Sequence, residues 1–166
     1  VQCLAFAAEV ARAEGQLPAA ATKLRRAIEV FELIGDAQLA LLRCNLAMVH
    51  LDQGDLPEAL KELDRALANA VEVDRSPLKL AVHSVRLRAL AEGGRYVQLD
   101  DALREARSLL DRVPVGEKDC AQSAERAYVA LQGAGELQRA ALAREIAVDQ
   151  YQKLGDTAAV ERLSAT

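Results

Sequence analysis

The sequence contains no tryptophan, and only 3% of its residues are aromatic. Stacking platforms for bases or sugar rings are therefore not what this chain is built around. Cysteine is scarce and odd in number. Cys3, Cys44 and Cys120 stand far apart and form no CxxC pair. That spacing argues against a disulfide framework or a zinc site and points to reduced thiols in a cytoplasmic setting. Basic charge is not in excess: Lys plus Arg total 21 against 25 Asp plus Glu, for a net charge of −4. A nucleic-acid binder would need a basic face for phosphates, so direct nucleic-acid binding is not expected. No apolar run approaches the length of about 18 residues that a membrane span requires. The N-terminus also lacks the basic stretch, apolar core and cleavage site of a signal peptide.

What the sequence has is alanine, 33 of 166 residues, within 51% hydrophobic and 28% charged composition. This favours close-packed helices over sheet, in a chain long enough to bury a core without staples. The chain opens at Val1, already in a helical pattern, and stops at Thr166 shortly into another. It reads as a piece of a longer protein.

The organisation is repetitive. Gly15-Gln16-Leu17, Gly54-Asp55-Leu56, Gly94-Arg95-Tyr96 and Gly135-Glu136-Leu137 each place a polar and then a large apolar residue after glycine. The glycines are 39, 40 and 41 residues apart. Helical runs flank each one: 4–13 and 19–34, 38–51 and 58–71, 78–91 and 99–110, 120–131 and 138–154. In the sixth run Leu99, Ala102, Leu103, Ala106, Leu109, Leu110 and Val113 recur at intervals of three and four. Pro18 and Pro57 fall in first turns, where a missing N–H is harmless. Ser76-Pro77 reads as a cap and first-turn proline, and Pro114 as a stop. Gly35-Asp36 and Gly155-Asp156 close equivalent helices. The boundaries predicted are about 1–36, 37–75, 76–115 and 116–156, with a partial or capping helix at 157–166, all in a single domain. A hairpin alone would expose an apolar face, so consecutive hairpins must stack.

This pattern resembles the tetratricopeptide repeat, in a longer form of about 40 residues common in bacterial regulators. The second repeat carries the likeness best, with Leu46-Ala47, His50, Gly54-Asp55-Leu56, Ala59, Leu63 and Ala66. The first carries Leu4, Ala7-Ala8, Gly15, Leu17, Ala20, Leu24 and Ala27. The fourth departs at Tyr128 and Arg144, and the third at Leu87 and Leu99, which stand where small residues belong. A wider helix pair or a shifted register is expected in the third. The resemblance implies an all-α, right-handed solenoid of four helix-turn-helix repeats. Its concave side, lined by the first helix of each repeat, would hold a peptide or a partner's helix.

By that match the inward-facing set is Gln2, Ala5, Glu9 and Arg12, then Leu41, Cys44, Asn45, Met48 and Asp52. Ala81, Ser84, Arg88 and Glu92 follow, then Gln122, Glu125, Val129 and Gln132. Leu41, Cys44 and Met48 would form an apolar floor, or else belong to the core. Asn45 would bond a ligand's backbone, or be solvated. Arg12 and Arg88 would meet an acidic ligand, or water. The family's chaperone-tail mode needs a basic clamp, and Ala5, Glu9, Ala81 and Val85 at those places do not supply one.

No enzyme is expected. His50 and His83 lie in different repeats without metal-ligand spacing, and His50 reads as a core or boundary residue. Cys44 has no histidine one turn away. Gly93-Gly94 lacks the Lys-Ser/Thr of a phosphate loop. The function expected is a protein- or peptide-binding scaffold without cofactor or metal. Two alternatives stand beside it. One is a peptide-sensing domain of a larger bacterial regulator. The other is self-association as a homodimer, through an exposed alanine face of the first helix (Ala5, Ala8, Ala11).

Overall fold

The computed structural model describes residues 2–34 and 38–165. The Gly35-Asp36 pair, and with it the first repeat boundary, lies outside the described residues. The helices are α1 (Gln2–Ala13), α2 (Leu17–Ile34), α3 (Leu39–Asp52), α4 (Leu56–Val73), α5 (Ser76–Glu92), α6 (Tyr96–Leu109), α7 (Lys118–Gly133), α8 (Leu137–Leu154) and α9 (Thr157–Ser164). A single 3₁₀ turn, Leu110–Arg112, follows α6. Among the described residues there is no strand, and the architecture is an all-α helical repeat. The chain divides into two compact units, Val1–Arg75 and Ser76–Thr166.

The hairpin turns share one physical device. At Gly54 the backbone takes φ +77°, a left-handed conformation that a Cβ would strain. This lets the Gly54 N–H reach the Leu51 carbonyl (3.1 Å) and the Asp55 N–H reach the His50 carbonyl (2.8 Å). The paired bonds satisfy two carbonyls that the end of α3 would leave open, in a Schellman arrangement. Asp55 then caps α4 by accepting from the Glu58 N–H at 3.3 Å, with Pro57 in the first turn. Gly15, Gly94 and Gly135 carry the same paired bonds and φ of +74°, +64° and +78°. Gly155 repeats the device between α8 and α9.

In unit 1, α1 packs on α2, α2 on α3, and α3 on α4. The core joins Ala8, Ala11, Ala20, Ala21, Leu24, Ala27, Ile28 and Phe31 with Leu39, Leu42, Leu46 and Val49. Ala8 and Ala11 are thus buried, only 1% and 3% exposed, because their small side chains admit α2. The exposed alanine face expected for self-association is not present there. The exposed residues of α1, among those described, are Cys3, Phe6, Glu9, Val10 and Ala13. Inside this unit Arg43 is buried and reaches Glu62 on α4 at 2.9 Å and Glu32 on α2, while Arg65 also donates to Glu62 at 2.9 Å. A buried charge is tolerable only when paired in this way. His50 is buried as expected, beside Asp55 (3.8 Å) and the Arg25 guanidinium (3.5 Å).

In unit 2 the first helices α5 and α7 lie side by side, as do the second helices α6 and α8, and α9 packs on α8. Leu87 and Leu99, oversized for their positions, are both fully buried. Tyr128 is likewise buried. Arg144 stays half-buried and donates to the Leu163 carbonyl at the end of α9 (3.5 Å). The sixth run ends in the 3₁₀ turn, and Val113 is extended, as a residue before proline must be.

The segment on both sides of Pro114 is fastened to α8. Gln150, fully buried, accepts from the Glu117 N–H at 3.2 Å, and Lys153 donates to the Leu110 carbonyl at 2.7 Å. Gly116 makes this contact possible. A Cβ there would sit 2.5 Å from the Gln150 carbonyl oxygen and 2.9 Å from the Leu154 nitrogen. Gly133, in contrast, is helical with open space around it. Gly116→Ala is expected to destabilise the chain by about 1–3 kcal/mol. Gly133→Ala is expected to be neutral or to stabilise by up to about 1 kcal/mol. Urea unfolding of the two variants checks both signs.

His83 on α5 is buried, and its Nδ1 has no hydrogen-bond partner among the described residues. Burial holds its pKa below the ordinary 6.5; Arg86 adds to the lowering, Glu105 opposes it, and Lys79 lowers it slightly further. The unfolded chain therefore binds a proton at higher pH than the folded one. Its contribution to stability is complete above pH 6.5 and is lost as pH falls toward the folded pKa. Unfolding free energy measured from pH 7.5 to 5 should decline over that window, and His83→Gln should flatten the decline.

A candidate peptide-binding pocket on the seventh helix

The residues expected to face a ligand fall into distinct surroundings. In unit 1, Cys44 and Met48 are 2% and 3% exposed. Their side chains pack in the interior because α3 is buried almost all round, and neither is surface for a ligand. Of the expected apolar floor only Leu41 is exposed. Asn45 is nearly buried and donates to Glu9 at 3.4 Å. Arg12 donates to Asp52 at 2.9 Å. Both contacts tie α1 to α3, so these polar groups serve each other.

In unit 2, Ser84 is fully buried, and Arg88 is buried with its Nε on Glu92 at 2.9 Å. Burial removes Cys44, Met48, Ser84 and Arg88 from direct contact with a ligand. Next to Ser84, Cys120 is also buried, which pushes its thiol up to about 12, with hydrogen bonding to Ser84 and the charges of Glu117 and Asp119 as lesser influences. Such a thiol stays protonated and inert at neutral pH.

In unit 2 four accessible members of the expected set, Glu92, Gln122, Glu125 and Val129, come together around α7. A cavity of about 620 Å³ is lined by Glu92, Gln122, Glu125, Arg126, Val129, Ala130, Tyr151 and Arg162. Positions 122, 126 and 129 share one face of α7 through the helical spacing of three and four. Val129 is 58% exposed, an uncovered aliphatic side chain on the wall. Glu125 is the polar hub: it accepts from the Tyr151 hydroxyl on α8 at 2.7 Å and from both terminal nitrogens of Arg162 on α9. The Arg162 bond chiefly holds the Glu125 carboxyl below the usual range, against partial burial, with Tyr151 assisting. Burial, followed by its bond to Glu125, pushes the Tyr151 hydroxyl up to about 12. At neutral pH the arrangement is a carboxylate, a guanidinium and a neutral phenol.

Glu92, Gln122, Glu125 and Val129 were legible from the repeat spacing. Arg126, Ala130, Tyr151 and Arg162 were not. Arg126 adjoins an expected position, so widening the α7 stripe by one residue would have found it. Tyr151 and Arg162 come from α8 and α9, and first-helix spacing carries no signal for them. Among the described residues no group of three His, Cys, Asp or Glu is placed to hold a metal ion, and no helix is long and apolar enough to cross a membrane.

Residues 1–70 match the family model of the tetratricopeptide repeat. No curated protein matches the chain. The matched segment covers the two hairpins of unit 1; the α7 cavity lies beyond it.

The Glu125 hub also anchors α9, which is held as well by the buried Ala159 and Leu163 and by the Arg144 bond to the Leu163 carbonyl, and is capped by Asp156 on the Ala159 N–H at 3.0 Å. Glu125→Gln is expected to speed amide hydrogen exchange several-fold at 160–164, with α7 amides unchanged. Arg162→Gln should act alike, and the double variant should add little to either.

Proposed function

We propose that the chain is a non-catalytic scaffold that holds an extended segment of a partner protein, and that the α7 cavity is where unit 2 grips it. We also read the third and fourth hairpins as tetratricopeptide-type repeats of the longer, roughly 40-residue bacterial kind, from a cytoplasmic protein. The recurrence of the same left-handed glycine turn at Gly15, Gly54, Gly94 and Gly135 supports extending the repeat beyond the matched residues 1–70. Tetratricopeptide repeats generally mediate protein–protein interaction.

The observation that carries the reading is the cavity itself. It combines an uncovered aliphatic side chain, Val129, with polar groups fixed by contacts from three helices. Few apolar anchors with oriented polar groups are what a peptide site requires. A cavity of this size accommodates a short stretch of side chains rather than a whole folded domain.

The test is selection of displayed random dodecapeptides on the purified chain, with the selected peptides then titrated in solution. Val129→Asp, at an exposed position, should keep the helical circular dichroism and weaken binding at least about tenfold, because a charge replaces the apolar anchor. Absence of enriched peptides, or binding indifferent to Val129→Asp, would refute the proposal.

A further inference from the structure

We infer that the α7 cavity selects acidic peptide segments, with an Asp or Glu beside an aliphatic residue. The inference rests on the proposed peptide-binding role and specifies its ligand chemistry.

Hydrogen-bonding capacity is unevenly used on the cavity wall. Its two carboxylates are already engaged. Glu125 accepts from Tyr151 and twice from Arg162, and Glu92 accepts from Arg88. Both oxygens of Glu125 are taken, and although Glu92 keeps Oε2 open, its charge is already met by the Arg88 guanidinium, so neither carboxylate offers a ligand's lysine or arginine an uncompensated negative charge. The donors are not all engaged. Arg126 is exposed on α7, and no described residue accepts a hydrogen bond or forms an ion pair with it. Gln122, one turn before it on the same face, also has no partner among the described residues. The wall therefore carries spare donors and a spare positive charge.

A carboxylate is the peptide group that suits a guanidinium best, because the planar fork presents two parallel N–H donors. Val129 and Ala130 follow Arg126 along α7, three and four residues on. They offer apolar surface on the C-terminal side of the charge. An acidic side chain on Arg126 would bring a neighbouring aliphatic side chain of the ligand toward Val129. Gln122 remains free to bond the ligand's backbone.

The discriminating experiment compares dodecapeptide pools selected on the unaltered chain, on Arg126→Glu and on Val129→Asp. The unaltered chain should enrich Asp or Glu next to Val, Leu or Ile. Arg126→Glu should lose that acidic enrichment while still selecting aliphatic peptides. Arg126→Gln should weaken the best acidic peptide about tenfold, and its Asp→Asn analogue should bind both chains alike. A pool that depends on Val129 but shows no acidic preference, or an acidic preference that survives Arg126→Glu, overturns the inference and leaves the peptide-binding role standing. A chain that selects no peptide overturns both.

Discussion

Everything in this chain depends on a helix being able to stop and reverse within two or three residues. A helix end leaves carbonyls without partners, and an L-residue cannot turn the backbone quickly enough to satisfy them without strain. Glycine in the left-handed conformation can. At each hairpin reversal it brings two N–H groups back onto the last turn of the preceding helix. The next helix then starts antiparallel and close, and alanines such as Ala47, Ala59 and Ala66, all fully buried, fill the narrow space between the backbones. The high alanine content and the spaced glycines are two sides of one constraint.

Close packing of small residues leaves little room for error in placing charged ones. The chain uses paired charges where helices meet. In unit 1 the buried Arg43 engages Glu62 and Glu32, so α2, α3 and α4 share one ionic cluster. In unit 2 Arg139 on α8 holds Asp100 on α6 at 2.7 Å and lies 5.2 Å from the Tyr96 ring centroid. These contacts specify which faces meet more than they add stability: the buried Arg43 cluster gains little over an apolar one, and the exposed Arg139–Asp100 pair is screened by solvent. The Glu125, Tyr151 and Arg162 cluster follows the same logic but sits at the edge of a cavity.

Much of the fold was legible because punctuation and periodicity agree. The four reversal glycines, the first-turn prolines and the three-and-four spacing each located helices to within a few residues. The Gly116 contact was not legible. Its necessity comes from the α8 backbone lying against it, 34 positions away at Gln150, and no local pattern encodes that. The ligand-facing set was legible only in part. Spacing identifies one face of a helix, but α3 and α5 are enclosed on most faces, so Cys44, Met48, Ser84 and Arg88 are interior. Helix α7 leaves Gln122, Arg126 and Val129 exposed, and of the expected positions there Gln122, Glu125 and Val129 line a cavity while Gln132 is exposed outside it.

Peptide binding along α7 is the proposal on which the functional reading stands. Hydrogen exchange of the chain with and without a selected peptide tests it most directly. A peptide seated on α7 should add protection across 120–133 and at 157–164, where Arg162 borders the cavity, with the outer face of α8 unchanged. Protection confined to unit 1, or to α8 residues away from Tyr151, would contradict it.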